Sequence, residues 1–310
     1  MARYFTSNTL IKDVKRRGML PASTSATFTD EDFLAFANEE MDVGIIPYVS
    51  SFHEDYFITS EKIPLVSTTT RYEIPHRAMG NKLREVRYVD TAGNIYEMSM
   101  VAIEDEGYFQ FSSYLGNLSK FTVVGNEIVL PLGNSSVAGY LEMMYLARPN
   151  TIVTEDRVAR VTNITGNVIT IDNFPSCFAG ITKFDITSIL NPHKLVAVEI
   201  VPIVLASPSS LTMTFTSLPS NIRVGDIVAI PEETIIPQVM EEMHSMLSQR
   251  VIIRCLEALG DTQGLTNAMA KLTEMEAKMS SIIDCRVEGA SKKVNNLHSH
   301  LRNARRWYRR

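Results

Sequence analysis

The chain has 310 residues, of which 45% are hydrophobic and 21% charged. This is an ordinary globular composition, which excludes a disordered chain and allows two or three hydrophobic cores. We find no run of 18 apolar residues and no signal-peptide pattern, so we expect neither secretion nor a membrane partner. Cys177, Cys255 and Cys285 lack metal-ligand spacing and are expected to be reduced thiols in a cytosolic compartment.

The charge is unevenly distributed. The net charge is −5, and because residues 291–310 carry seven basic side chains and no acid, residues 1–290 carry −12. Such a terminal block is typical of an interaction arm, although a solvated tail without a partner is the alternative. Trp307, the only tryptophan, lies inside the block beside Tyr308. Aromatic anchors among arginines favour a docking segment.

The N-terminal segment, residues 1–57, is predicted to be helical. A first helix runs from Ser7 to Arg17. A second opens at Thr29, where Thr29-x-x-Asp32 resembles a capping box, and Pro47 should kink or break it. These helices are too short to bury their apolar faces alone, so we expect them to pack on the C-terminal helices.

From about Tyr56 the apolar pattern has a period of two, which predicts antiparallel strands. Glycine-containing turns indicate hairpins at 84–98, 121–130 and 158–171, and residues 223–230 resemble a turn and closing strand of a small barrel. We place a soft boundary near Asn150. This gives one β module at 58–150 and a barrel-like module at 151–230.

The C-terminal segment, residues 231–285, is predicted to form a helical hairpin. Pro237 can occupy its first turn, Gly260 can close the first helix, and Asp261 can cap the second. Methionine-rich faces suit adaptable contacts, so subunit packing is also expected on this hairpin. The apolar seam consists of Met240, Met243, Leu247, Val251, Leu265, Leu272, Met275, Met279 and Ile282.

The predicted fold class is therefore α+β. The N- and C-terminal helices build one helical domain, a large antiparallel β insertion of barrel or sandwich modules lies between them, and residues 286–310 form an extended basic arm.

The sequence carries no catalytic motif known for phosphate loops, dinucleotide folds, zinc proteases or serine hydrolases. Glu241 and His244 form one i, i+3 pair, which we interpret as a helix-surface pair rather than a metal site. The acids at 104–106 lack the spacing of a calcium loop and are interpreted as a solvated turn. We predict no enzyme activity, no catalytic residues, no metal and no cofactor.

The order of these segments resembles that of tailed-bacteriophage structural proteins. The segments are 28–41 (FTDEDFLAFANEEM), the β insertion from 71–75 (RYEIP), 247–261 (LSQRVIIRCLEALGD) and 286–289 (RVEG) with the basic tail. The likeness is greatest to head-to-tail adaptors, also called neck or connector rings. The β insertion is larger than in the minimal all-helical adaptors.

The resemblance implies a virion protein, assembled in the host cytoplasm, that forms a twelvefold ring beneath the portal and takes part in genome ejection. Its partners would be the portal protein, neighbouring copies, further neck or tail rings, and double-stranded DNA passing without sequence specificity. An acidic body would let DNA slide. The arm would dock on portal acids through Arg286, Lys292, Lys293, Arg302, Arg305, Arg306, Trp307, Tyr308, Arg309 and Arg310.

Two other functions remain open from the sequence. The basic tail could grip the packaged genome, which would make the chain a nucleic-acid-binding neck protein. The β-rich middle could instead belong to a receptor- or glycan-binding tail protein, although this reading gives no role to the helical hairpin.

Overall fold

The computed structural model describes residues 5–19, 28–52, 54–66, 69–102, 120–130, 138–190, 195–207 and 209–283. In sequence, helices at the two ends of the chain flank a set of largely antiparallel sheets, so the predicted α+β class is confirmed. The basic arm, Cys285 and the acids at 104–106 lie outside the described residues.

The first two helices follow the sequence prediction. Helix α1 spans Ser7–Arg17 and α2 spans Asp30–Glu40. The capping box is present, because the Asp32 N–H donates to Thr29 Oγ1 at 3.2 Å and the Thr29 N–H donates to Asp32 Oδ2 at 2.7 Å. These reciprocal bonds satisfy two donors that a helix N-terminus leaves free.

The expected break at Pro47 does not occur, although the regular α-helix is interrupted just before it. A π-helical turn, Met41–Ile45, follows α2 and leads directly into α3, Ile46–Phe52. The Ile46 N–H donates to the carbonyl of Met41, five residues back. The wider turn absorbs one extra residue, and Pro47 lies in the first turn of α3, where a backbone N–H is dispensable.

The C-terminal hairpin consists of α4, Glu241–Leu259, and α5, Thr262–Ile283. Gly260 adopts a left-handed φ of 70° at the end of α4, and the Asp261 carboxylate accepts the Gly264 N–H at 2.9 Å, as predicted.

Pro237 lies ahead of α4 rather than in its first turn, and Met240 occupies the N-cap position. The preceding segment is held against the first helix, since the Ser7 N–H donates to the Ile235 carbonyl at 2.7 Å. At the other end of the hairpin the structure buries Ile283 and exposes Ile282, contrary to the predicted seam. Five turns of an α-helix take 18 residues, which returns Ile283 to the direction of Leu265.

The helical block is built by both ends of the chain, as expected. We use this name for α1 to α5 with the π turn. Its shared core contains Leu10, Val14, Phe33, Ile45 and Leu247, all buried. Among the described residues, no helix has the length and apolarity needed to cross a bilayer.

The first β module is a sandwich of two four-stranded sheets. Their strand orders are β1-β8-β3-β4 and β2-β7-β6-β5, and a core that includes Tyr72, Val86, Ile128 and Met143 lies between them. The predicted hairpins at 84–98 and 121–130 are β3–β4 and β6–β7. The strands are β1 Ile58–Pro64, β2 Arg71–Glu73, β3 Ala78–Asp90, β4 Ile95–Glu97, β5 Ser99–Met100, β6 Lys120–Val124, β7 Glu127–Val129 and β8 Gly139–Ala147.

The second β module is a nearly closed barrel with the strand order β13-β12-β16-β10-β11-β15-β14. Its edge strands β13 and β14 are separated only by Val201, so the two ends of the sheet meet. The predicted closing strand is β16, which lies inside the sheet, while β9 and β17 form a separate parallel pair. The strands are β9 Thr151–Ile152, β10 Ala159–Thr165, β11 Val168–Ile171, β12 Phe184–Thr187, β13 Leu195–Ile200, β14 Pro202–Val204, β15 Thr212–Phe215, β16 Ile227–Ala229 and β17 Glu233–Thr234.

Candidate functional site

A buried polar cluster joins the sandwich, the barrel and the start of the C-terminal hairpin. We call it the polar junction, and it consists of Arg77, Asn150, Asp185 and Gln238. Asp185 on β12 is completely buried. Its Oδ2 accepts hydrogen bonds from Arg77 Nη2 at 2.6 Å and from Asn150 Nδ2 at 3.0 Å. A buried carboxylate is tolerated only when paired and hydrogen-bonded in this way.

The backbone completes the shell around Asp185. Its Oδ2 also accepts the N–H of Glu232 at 2.9 Å, and its Oδ1 accepts the N–H of Glu199 at 2.9 Å. The carboxylate therefore gathers strand β13 and the turn before β17 around one charge. These bonds hold two separate parts of the second module at fixed distances.

Arg77 and Asn150 extend the junction beyond the barrel. Arg77, from the turn between β2 and β3, donates through Nη1 to Asn150 Oδ1 at 3.0 Å. The Asn150 N–H donates to Gln238 Oε1 at 2.6 Å, and Gln238 lies three residues before α4. The position chosen as a soft module boundary is thus the place where the sandwich, barrel and helical block are tied together.

A solvent-facing layer lies over the polar junction. His76 Nε2 lies 3.3 Å from Glu199 Oε1 and 3.1 Å from Glu232 Oε1. Lys183 donates to Glu199 Oε2 at 2.7 Å, and this hydrogen bond lowers the pKa of the Glu199 carboxyl. A cleft of about 920 Å³ opens beside this layer, between β1 and β2 of the sandwich and β13 of the barrel. Several charged groups in its wall take part in ion pairs within the fold, which favours a structural role for Arg77, His76 and Glu199.

A second ionic cluster braces the helical block. Glu40 at the end of α2 accepts from Arg254 Nε at 2.6 Å and from Arg250 Nη1 at 3.2 Å, while Arg250 Nη2 donates to Glu276 Oε1 at 2.6 Å. A Cβ on Gly44 would lie 2.6 Å from Arg250 Nη1 and 2.7 Å from Glu40 Oε2. The glycine in the π turn therefore provides the space through which these side chains link α2, α4 and α5.

Most of the predicted hairpin seam serves the packing of its own chain. Met243, Leu247 and Val251 are fully buried in the helical block. Four further residues of the seam are half-buried against the same core, namely Met240, Leu272, Met275 and Met279. Leu265 is half-buried outside this core, and Ile282 is exposed.

His244 is not a helix-surface residue, so the interpretation of Glu241 and His244 as a surface pair is wrong. Its imidazole is buried and stacks on Phe5 with ring centroids 4.5 Å apart. Burial lowers the pKa of His244 to about 4, so the ring is neutral at pH 7. Within the described part of the chain, no cluster of three or more histidine, cysteine or acidic side chains could hold a metal ion.

The ten residues assigned to the docking arm, from Arg286 to Arg310, lie outside the described residues. Comparison with known proteins gives no match to a protein-family model and none to a curated protein.

Proposed function

We propose that this chain is a virion structural protein of a tailed bacteriophage, which forms a head-to-tail adaptor ring beneath the portal and part of the DNA channel. The observation that carries the proposal is the joining of both chain ends into one helical block, with the β modules inserted between them. The adaptor resemblance rests on this same order of segments.

The helical block is suited to serve as a rigid base for the arm. Its helices share one apolar core, and the Glu40 cluster adds charge-assisted hydrogen bonds between α2 and the hairpin. Helix α5 ends at the buried Ile283, so the last described residue of the chain lies on the core of the block.

The charge distribution supports opposite roles for the body and the arm. Residues 1–290 carry −12, which repels the DNA backbone and disfavours tight binding to a passing duplex. The seven cations of residues 291–310 suit an acidic protein surface, with Trp307 as an apolar anchor.

The proposal is tested by binding of the full chain and of a chain ending at residue 290 to purified portal rings of the same phage, measured by co-sedimentation. We expect the truncated chain to unfold at the same temperature as the full chain and to lose portal binding. Trp307→Ala should weaken binding at least about tenfold, as hot-spot anchors do. His298→Ala, in the same arm, is the matched control and should bind normally.

Undiminished portal binding by the truncated chain would refute the docking role of the arm. The genome-gripping alternative predicts a different result. The full-length chain would then not bind the portal. Instead the arm would bind duplex DNA, and the logarithm of its binding constant would fall with the logarithm of the salt concentration with a slope of up to about −6, since seven cations would displace counterions.

A further inference from the structure

The exposed apolar side chains of the described residues are concentrated at two strand corners. A corner here is the point where the chain leaves the edge strand of one sheet and enters a second edge strand. Nearly half of the large apolar residues that the described structure exposes lie at these two places. Scattered exposed apolar residues need no explanation, but contiguous ones mark interaction surfaces.

The barrel corner lies at the junction of β13 and β14. Both are edge strands, since β13 pairs only with β12 and β14 only with β15 in the described sheet. Apolar side chains exposed along edge strands are prone to contact another chain. The corner exposes five aliphatic side chains by 42% to 66%, namely Val201, Ile203, Val204, Leu205 and Val198, of which Val198 also lines the cleft against the sandwich.

The sandwich corner lies at the junction of β4 and β5. Among the described residues these are again edge strands, one from each sheet, and the chain crosses between them at the buried Met98. Ile95, Tyr96 and Met100 are exposed by 46% to 67%, and Tyr96 stacks on Tyr88 at 5.7 Å. Tyrosine and methionine are enriched in protein interfaces. This corner forms the edge of the sandwich opposite β1 and β2.

From the two corners we infer that copies of this chain bind head to tail, with the barrel corner of one copy against the sandwich corner of the next. The inference deepens the proposed ring and rests on that proposal, because two different surfaces that meet between copies generate a closed ring when the rotation closes.

The exposed area fits a second copy as the occupant. The barrel corner exposes on the order of 400 Å² of apolar surface, comparable to the largest patch of a typical monomer. Pairing it with the sandwich corner covers a substantial part of the roughly 800 Å² per partner that a stable interface buries. A single contact of this size forms dimers at the upper end of a concentration series, and ring closure strengthens the association. We therefore expect association that rises with concentration.

The experiment measures the self-association of the full chain by sedimentation velocity over a concentration series. Ile203→Glu changes the barrel corner and Met100→Glu the sandwich corner. Both side chains are exposed in one copy, so neither change should unfold it. We expect each variant alone to stay monomeric. Their equimolar mixture should form a dimer and nothing larger, because only one intact pair of corners remains. Met269→Glu, on the exposed face of α5, is the matched control and should associate like the unchanged chain.

Three results would overturn the inference: a monomeric unchanged chain at every concentration, association of either variant alone, or a mixture that stays monomeric. The outcome is independent of portal binding. If the unchanged chain binds the portal but Ile203→Glu still completes the ring, the adaptor function stands and the corner contact is wrong. If corner variants lose self-association while the unchanged chain ignores the portal, the adaptor function is wrong and the contact stands.

Discussion

The helical block and the polar junction both join segments that are far apart in sequence, but the block does so by apolar packing and the junction by hydrogen bonds. In the block, helices from the two ends of the chain meet through apolar side chains such as Leu10, Phe33 and Leu247, with ion pairs at the margin. At the junction, three parts of the fold meet through the buried Asp185 and its donors. Apolar packing tolerates small shifts, whereas a buried carboxylate with four donors permits one arrangement. The difference suggests that the junction sets how the β modules are held on the block.

The largest expected effect comes from breaking the junction. Arg77→Met leaves the carboxylate of Asp185 buried without its cation, which should lower the free energy of unfolding by about 3 to 5 kcal/mol. Arg148→Met is the matched control, since Arg148 lies nearby and is exposed, and it should change stability by less than about 0.5 kcal/mol. Chemical denaturation measures both. Equal effects would mean that the junction does not hold the modules.

The second largest expected effect is a loss of stability at acid pH, caused by the buried His244 that stacks on Phe5. The pKa of His244 is about 4 in the folded chain, against an ordinary value of 6.5, because burial disfavours the imidazolium. Between pH 6.5 and 4 the unfolded chain therefore binds a proton on His244 that the folded chain does not bind. The contribution of the buried His244 to the free energy of unfolding falls as the pH drops from 6.5 and levels off below 4. The full loss is on the order of 3 kcal/mol.

His244→Phe keeps an aromatic partner for Phe5 and removes this titration. The difference in unfolding free energy between the unchanged chain and the variant should depend on pH between 6.5 and 4, whereas carboxylates common to both cancel. A difference that stays constant across that range would contradict the burial of a neutral imidazole.

The smallest expected effect concerns Gly44, which makes room for the ionic cluster of the helical block. Alanine in place of a helical glycine is normally favourable by about 0.5 to 1 kcal/mol. At Gly44 the new methyl would displace the Arg250 guanidinium from Glu40, so we expect a net loss of about 1 kcal/mol in thermal or chemical unfolding. Val43→Ala, exposed in the same turn, is the control and should be nearly neutral. A stabilised Gly44→Ala chain would show that the ionic cluster is not confined there.

The helices and hairpins were readable from the sequence because their signals are local. Apolar spacing and the Thr29 box gave α1 and α2, and glycine turns such as 125–126 and 166–167 gave hairpins that the structure contains. The differences arose where packing decides what a local rule leaves open. A π turn precedes Pro47 and lets the helical run continue, and the seam of α5 follows the 3.6-residue period to Ile283 rather than a strict heptad to Ile282.

The polar junction could not be predicted in this way. Arg77, Asn150, Asp185 and Gln238 come from four segments far apart in sequence, three of them turns or strand ends without periodicity. Each looks like an ordinary polar residue until the fold brings them together. His244 was misread for a related reason, since the partner that buries it, Phe5, lies at the other end of the chain. The two corners are visible only once the strand order identifies the edges of the sheets.

The proposed position of this chain in the virion can be examined by electron cryomicroscopy of the phage neck. We expect a twelvefold layer immediately beneath the portal in which the helical block and both β modules fit as one unit, with residues 286–310 reaching the portal surface. Density for this chain at the tail tip or in side fibres, with a different protein in the layer under the portal, would contradict this position.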